Sequence, residues 1–128
     1  MDKEEFRRLP GLIAIVRAGQ ALAENDMPKI LKNAQKAFDF AFEGDYLTRG
    51  GAASQLGLAA WANGDLTTAH EMTTEGIKNL RRGGYLSAVI GCAITLADIQ
   101  ITQGRLNVAK ATYKQALGWA TAPDAPYQ

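Results

Sequence analysis

The sequence contains few of the residue types that build catalytic and metal sites. It has one cysteine and one histidine among its 128 residues. The single cysteine, Cys92, excludes an internal disulfide and fits a reducing compartment, so we expect a cytoplasmic protein. A zinc site needs roughly three or four His, Cys or acidic ligands, and no cluster in the sequence has ligand spacing. We therefore expect no resident metal or cofactor in this chain.

The sequence also lacks a large net charge and long apolar runs. The formal net charge is +1, which provides no whole-molecule field toward nucleic acid or an anionic membrane. Arg17, Gln20 and Glu24 interrupt the first apolar stretch, so it falls short of the roughly 20 residues that span a bilayer. The charged start of the chain lacks the apolar centre of a signal peptide. We expect neither membrane contact nor export.

The chain does contain a repeated sequence motif. Gly64-Asp65-Leu66, followed by Ala69, recurs as Gly104-Arg105-Leu106, followed by Ala109, and a fainter copy surrounds Asn25-Asp26-Met27. The copies lie 39 and 40 residues apart. Apolar and small residues recur at i, i+3 and i+4 around these breaks, which is typical of helices with one buried face. Self-similarity at this period, with two helices per unit, indicates a stacked helical repeat.

These patterns predict an all-α fold of about six helices, paired as three hairpins in one domain over residues 1–128. Pro10 suits the first turn of the first helix, and Asp26 and Asp65 suit the N-caps of the second and fourth helices. The proline-punctuated tail, 121–128, is expected to be loose. The predicted helices cover 10–24, 27–43, 47–62, 66–80, 85–103 and 105–120, and the predicted repeats cover 9–43, 47–82 and 85–120.

Several features of the sequence allow an interpretation other than helix packing. A row of lysines on one side of the second helix is either a solvated face or a phosphate site, and the solvated face is the usual meaning of such a row. Thr48-Arg49-Gly50-Gly51 lacks the spacing and the lysine of a phosphate loop, so its glycines instead suggest closely approaching helices. His70 reads as a helix histidine and Cys92 as a small core residue. No acid, base or nucleophile converges with another, so we expect no enzyme.

The third unit resembles the tetratricopeptide repeat (TPR). The second unit matches less well, because Thr73 stands where a large aromatic residue is usual, and the first unit is degenerate. The repeat period also exceeds the usual 34 residues of that family. The matching positions of the third unit are Leu96, Ala97, Gly104, Leu106, Ala109, Tyr113, Ala116 and Leu117.

The longer units look like the repeat domain of large LuxR/MalT-type transcriptional regulators, with Leu96-Ala97-Asp98-Ile99-Gln100 before Gly104-Arg105-Leu106 as the most specific part. The resemblance implies a right-handed α-solenoid that senses an inducer or a regulatory protein and assists self-association. In that family, ATP and DNA are bound by flanking modules, which this chain does not contain. We therefore expect a piece of a longer regulator. A free-standing TPR adaptor that binds a peptide or protein is the alternative.

If the units stack as in TPR proteins, the first helix of each hairpin lines a concave groove. The groove would take a protein or a small-molecule effector, and a second copy of the chain could also cover it. The alternative is a groove filled by its own side chains. The predicted groove residues are Leu12, Ile15, Leu22, Leu58, Trp61, Ile94, Asp98 and Ile101.

Overall fold

The computed structural model describes residues 2–121, and this part of the chain consists of six α-helices without a β-strand. The architecture confirms the predicted all-helical, TPR-like solenoid. The predicted tail, apart from Thr121 at the end of the last helix, lies outside the described residues. The helices are α1 (Lys3–Ala23), α2 (Met27–Phe40), α3 (Tyr46–Ala62), α4 (Leu66–Gly83), α5 (Leu86–Thr102) and α6 (Leu106–Thr121).

The start of α1 differs from the prediction. The helix begins at Lys3, seven residues before Pro10, because the Asp2 carboxylate accepts a 2.8 Å hydrogen bond from the backbone N–H of Glu5. Glu4 and Glu5 also place negative charge at the positive end of the helix dipole. Pro10 lies inside the helix, where it withholds a hydrogen bond from the Phe6 carbonyl. Both residues are exposed, so water can reach that carbonyl.

One turn geometry joins all six helices. The residue before each Asp, Tyr or Arg that opens a new helix has a positive φ, and four of these five residues are glycines. The carboxylates of Asp26, Asp45 and Asp65 each accept a hydrogen bond from the backbone N–H three residues further along the chain. The predicted N-caps Asp26 and Asp65 are therefore confirmed. The positive-φ residues are Asn25, Gly44, Gly64, Gly84 and Gly104, so the turns recur about every 20 residues.

Small residues allow close contact within each hairpin. Ala18, Gly57 and Ala97, which occupy equivalent positions in the three units, are all buried. A Cβ atom at Gly57 would contact the Thr73 hydroxyl and lie 3.1 Å from the Thr73 backbone nitrogen. The axes of α3 and α4 can therefore approach this closely only because position 57 has no side chain.

The core changes character along the solenoid. Around α1, α2 and α3 it is rich in alanine, with Ala14, Ala37 and Ala52 in one cluster. Around α4, α5 and α6 it contains large side chains, including Leu80 and Trp119. The Arg81 guanidinium lies 4.6 Å from the centroid of the Trp119 ring. The hairpins thus stack in chain order, each burying an apolar face of the one before it.

Candidate functional site

The first helices of the hairpins, α1, α3 and α5, carry the predicted groove. Between α1 and α3 there is little room, because Ile15 packs against the alanine-rich cluster and against Gly51. The Gln55 amide donates a 2.8 Å hydrogen bond to the Ile15 carbonyl and ties the two helices together. Leu22 packs against the cluster of Ala21, Ile30 and Ala59. At Ile15 and Leu22, the structure therefore places packing contacts where an open groove was predicted.

Leu12 lies at the outer side of α1 and not in a groove shared with the other helices. Together with Ile13, Val16, Arg17 and Gln20 it lines a shallow depression of about 310 Å³. Ile13 and Val16 are exposed at this end of the solenoid. The depression is formed by α1 alone, so it offers a surface and not an enclosed site.

The surface formed by the first helices of the hairpins opens between α3 and α5. A cavity of about 350 Å³ lies there, which we call the α3–α5 cleft. Leu58 is the predicted groove residue that lines it, and Ile94 lies one helical turn from Gly91 on the same α5 face. The lining residues are Leu47, Gly51, Ser54 and Leu58 from α3, Thr73 and Leu80 from α4, and Ala88, Gly91, Cys92 and Thr95 from α5.

Asp98 faces its own hairpin. Its carboxylate accepts a 2.6 Å hydrogen bond from the Tyr113 hydroxyl of α6. This hydrogen bond raises the pKa of Tyr113 above its ordinary value, because the phenol must remain protonated to donate to a carboxylate. Asp98 therefore joins α5 to α6, and sequence reasoning, which had assigned Tyr113 only a repeat position, missed this pair.

Ile101 lies on the end surface of the last hairpin. We call this surface the C-terminal face; it is a shallow groove of about 370 Å³ that also includes Leu106, Ala109, Lys110, Tyr113, Lys114 and Leu117. Trp61, at the position equivalent to Ile101 in the second unit, is half-buried. Apart from Trp61, the predicted groove residues are thus distributed over the α1 depression, the packing contacts of α1, the α3–α5 cleft, the hydrogen bond to Tyr113 and the C-terminal face.

A buried ion pair holds α1 to the start of α3. Arg8 Nε lies 3.2 Å from Asp45 Oδ1, and the Asp45 side chain is 1% exposed. The same oxygen caps α3 by accepting the Thr48 N–H. Sequence reasoning missed this pair, because it placed Arg8 before the first helix and Asp45 in a turn.

His70 is half-buried on α4, as the sequence suggested, and it lies in a small polar cluster. Its ring Nε2 is 3.4 Å from the side-chain Nε2 of Gln100, and the Thr112 hydroxyl donates a 2.7 Å hydrogen bond to the side-chain Oε1 of Gln100. Burial, and then the Arg105 guanidinium, lower the pKa of His70 below its ordinary value. The cluster joins α4, α5 and α6 through side-chain contacts.

Within residues 2–121, no group of three or more His, Cys, Asp or Glu side chains could hold a metal ion. Among the six described helices, none combines the length and the apolar character required to cross a membrane. The described part of the chain has three apolar surfaces that could bind a partner: the α3–α5 cleft, the α1 depression and the C-terminal face.

Comparison with known proteins identifies the repeat type. A search of curated proteins and a search of solved structures each return no match. A family model described as "MalT-like TPR region" matches residues 11–128, which is nearly the whole chain. The matched range contains all three hairpins except the first turns of α1. The chain therefore belongs to the MalT-like TPR family.

Proposed function

We propose that this chain is the regulatory repeat module of a transcriptional regulator and that it acts by binding a protein or small-molecule effector. The observation that carries the proposal is the match to the MalT-like TPR region over residues 11–128. TPR-type helical repeats are generally non-catalytic interaction domains. ATP and DNA would be bound by other modules of the full-length protein, and effector binding to this segment would change the activity of those modules.

Exposed apolar side chains of α3 and α5 support a role in binding. Ile94 is 45% exposed beside the α3–α5 cleft, and Leu58 on the opposite wall is 39% exposed. Water-exposed apolar side chains gathered on one surface are typical of interaction sites, whereas singly scattered ones need no explanation. A protein partner would cover this surface from the concave side.

The C-terminal face supports self-association. Leu117 is 64% exposed, whereas Ile77, at the equivalent position in the preceding unit, is 9% exposed because α5 covers it. Exposed apolar side chains that gather on one surface, as Leu106 and Leu117 do here, are typical of interaction sites. Two copies could cover each other there, and a homodimer is part of the proposal.

The test compares two aspartate substitutions in the full-length protein that contains this segment. Ile94→Asp places a charge beside the α3–α5 cleft, and Leu31→Asp places one on α2, where Leu31 is 49% exposed. Both sites are exposed, so both variants should fold. We expect Ile94→Asp to abolish effector-dependent transcription of a reporter gene and Leu31→Asp to leave it unchanged. Equal regulation in both variants would contradict a binding role for the concave side.

The alternative function, a free-standing adaptor that captures a peptide, makes a different prediction. The open reading frame around this segment would then contain no phosphate-binding loop upstream and no helix-turn-helix downstream. The Ile94→Asp variant would lose capture of a protein partner without any effect on transcription. Sequencing the flanking regions and the reporter assay together separate the two functions.

A further inference from the structure

The α3–α5 cleft exists because one repeat position changes size. Ile15 of α1 fills the space between α1 and α3, and the equivalent residue of α3 is Ser54. Opposite Ser54, the α5 wall is formed by Ala88, Gly91 and Cys92, which are also small. A serine facing small side chains cannot fill the space that an isoleucine fills one unit earlier. The second and third hairpins therefore leave a cavity where the first and second pack closely.

The polar groups of the cleft are largely satisfied within the protein. The Ser54 hydroxyl donates to the Gly50 carbonyl at 2.7 Å and lies 3.2 Å from Cys92 Sγ. The Thr95 hydroxyl donates to the Gly91 carbonyl at 3.2 Å. The Thr73 hydroxyl is buried against Gly57 and has no hydrogen-bond partner among the described residues. None of the lining residues is Asp, Glu, Lys, Arg or His.

We propose that the α3–α5 cleft binds a small neutral molecule with a largely apolar body and few hydrogen-bonding groups. A charged molecule would lose its hydration without meeting an opposite charge, which is costly. The volume of about 350 Å³ falls in the range of small-molecule sites, and α4 closes the floor with Thr73 and Leu80. The regulatory meaning of this site rests on the proposed function, but the binding itself does not.

The probe is N-phenyl-1-naphthylamine, a neutral fluorescent compound whose emission rises in apolar surroundings. We expect saturable binding to the isolated chain with a Kd of roughly 10–100 µM. Gly91→Leu should weaken this binding at least about tenfold, because a Cβ at Gly91 meets open space and the leucine can extend into the cleft. Gly118→Leu is the matched control, since Gly118 is also a helix residue with open space around it but lies outside the cleft.

The position of the probe is read from Cys92, the single cysteine of the chain. Its half-buried thiol lines the cleft, so bound probe should slow its alkylation by iodoacetamide at least about threefold in the wild type and in Gly118→Leu. The sulfonated analogue, 8-anilinonaphthalene-1-sulfonate, has the same skeleton with a negative charge. It should protect Cys92 much less than the neutral probe does.

Four outcomes would overturn the proposal: no saturable binding, unchanged binding by Gly91→Leu, no protection of Cys92, or equal protection by the sulfonate. Protection of Cys92 that grows with protein concentration alone would identify a second copy as the occupant and would also overturn it. Circular dichroism should show the wild-type helical spectrum for Gly91→Leu, and Gly91→Ala provides a smaller replacement that should weaken binding less.

The outcomes for this site and for the proposed function are distinguishable. If the probe binds in the cleft while Ile94→Asp leaves reporter regulation intact, the site is real and the regulatory role is wrong. If Ile94→Asp abolishes regulation while the probe does not bind, the regulatory role stands and the small-molecule site is wrong.

Discussion

Gly57→Ala tests whether the close approach of α3 and α4 depends on the missing side chain. In an open helix the same substitution would stabilise the protein by about 1 kcal/mol, because alanine is the better helix former. At Gly57 the new Cβ would contact the Thr73 hydroxyl and lie 3.1 Å from the Thr73 nitrogen, and both groups are buried. Overpacking of this kind costs about 1–3 kcal/mol. The free energy of unfolding should therefore fall by about 1 kcal/mol.

The assay is urea denaturation followed by far-ultraviolet circular dichroism, with Gly118→Ala as the control. A Cβ at Gly118 meets nothing within 4 Å, so this variant should gain stability by up to about 1 kcal/mol. The double variant Gly57→Ala, Thr73→Ala lacks the hydroxyl that the new Cβ would contact. Its free energy of unfolding should be about 1 kcal/mol higher than the sum of the two single changes predicts. A Gly57→Ala midpoint at or above that of the wild type would refute the proposed steric contact.

Three further predictions concern the ion pair, the histidine and the C-terminal face. Arg8→Gln leaves the buried Asp45 carboxylate without its cation, so the free energy of unfolding should fall by about 2 kcal/mol in urea denaturation, and an unchanged value would mean that the pair is not formed. Since the pKa of His70 is lowered in the folded state, the unfolded chain binds the proton more readily. Stability should therefore decline as the pH falls from about 7 through the lowered pKa, and denaturation midpoints of His70→Gln should decline less over the same range. If the C-terminal face forms the homodimer, Leu117→Asp should sediment as a monomer while Leu31→Asp sediments as a dimer; a monomeric wild type at high concentration would contradict that prediction.

Much of the fold was predictable from local sequence signals. Asp26 and Asp65 precede apolar helical patterns and cap α2 and α4, because an aspartate before a helix can accept an otherwise unpaired N–H. Gly64 and Gly104 mark two of the recurring turns, where a positive φ favours glycine. Such interactions span only a few residues, so they can be recognised in the chain itself. The repeat period then predicted the stacking of hairpins.

The start of α1 shows where local signals compete. Pro10 indicates a first turn, and Asp2 indicates a cap eight residues earlier, so both are valid signals for a helix start. The structure extends the helix to Lys3, which places Arg8 beside the buried carboxylate of Asp45. That contact joins residues far apart in the chain, and no pattern within the first ten residues could have indicated it.

The candidate site depended on tertiary structure. The repeat register placed Ile15 and Leu58 at the same concave side, but packing closed the space beside Ile15 and left a cleft beside Leu58. Asp98 was predicted to face the groove and instead accepts the Tyr113 hydroxyl. The sequence by itself determined the helices, their turns and the order of stacking, since these follow from backbone geometry and apolar periodicity. Only the tertiary structure decided where the concave side is filled and where it is open, because that depends on which side chains from separate helices meet.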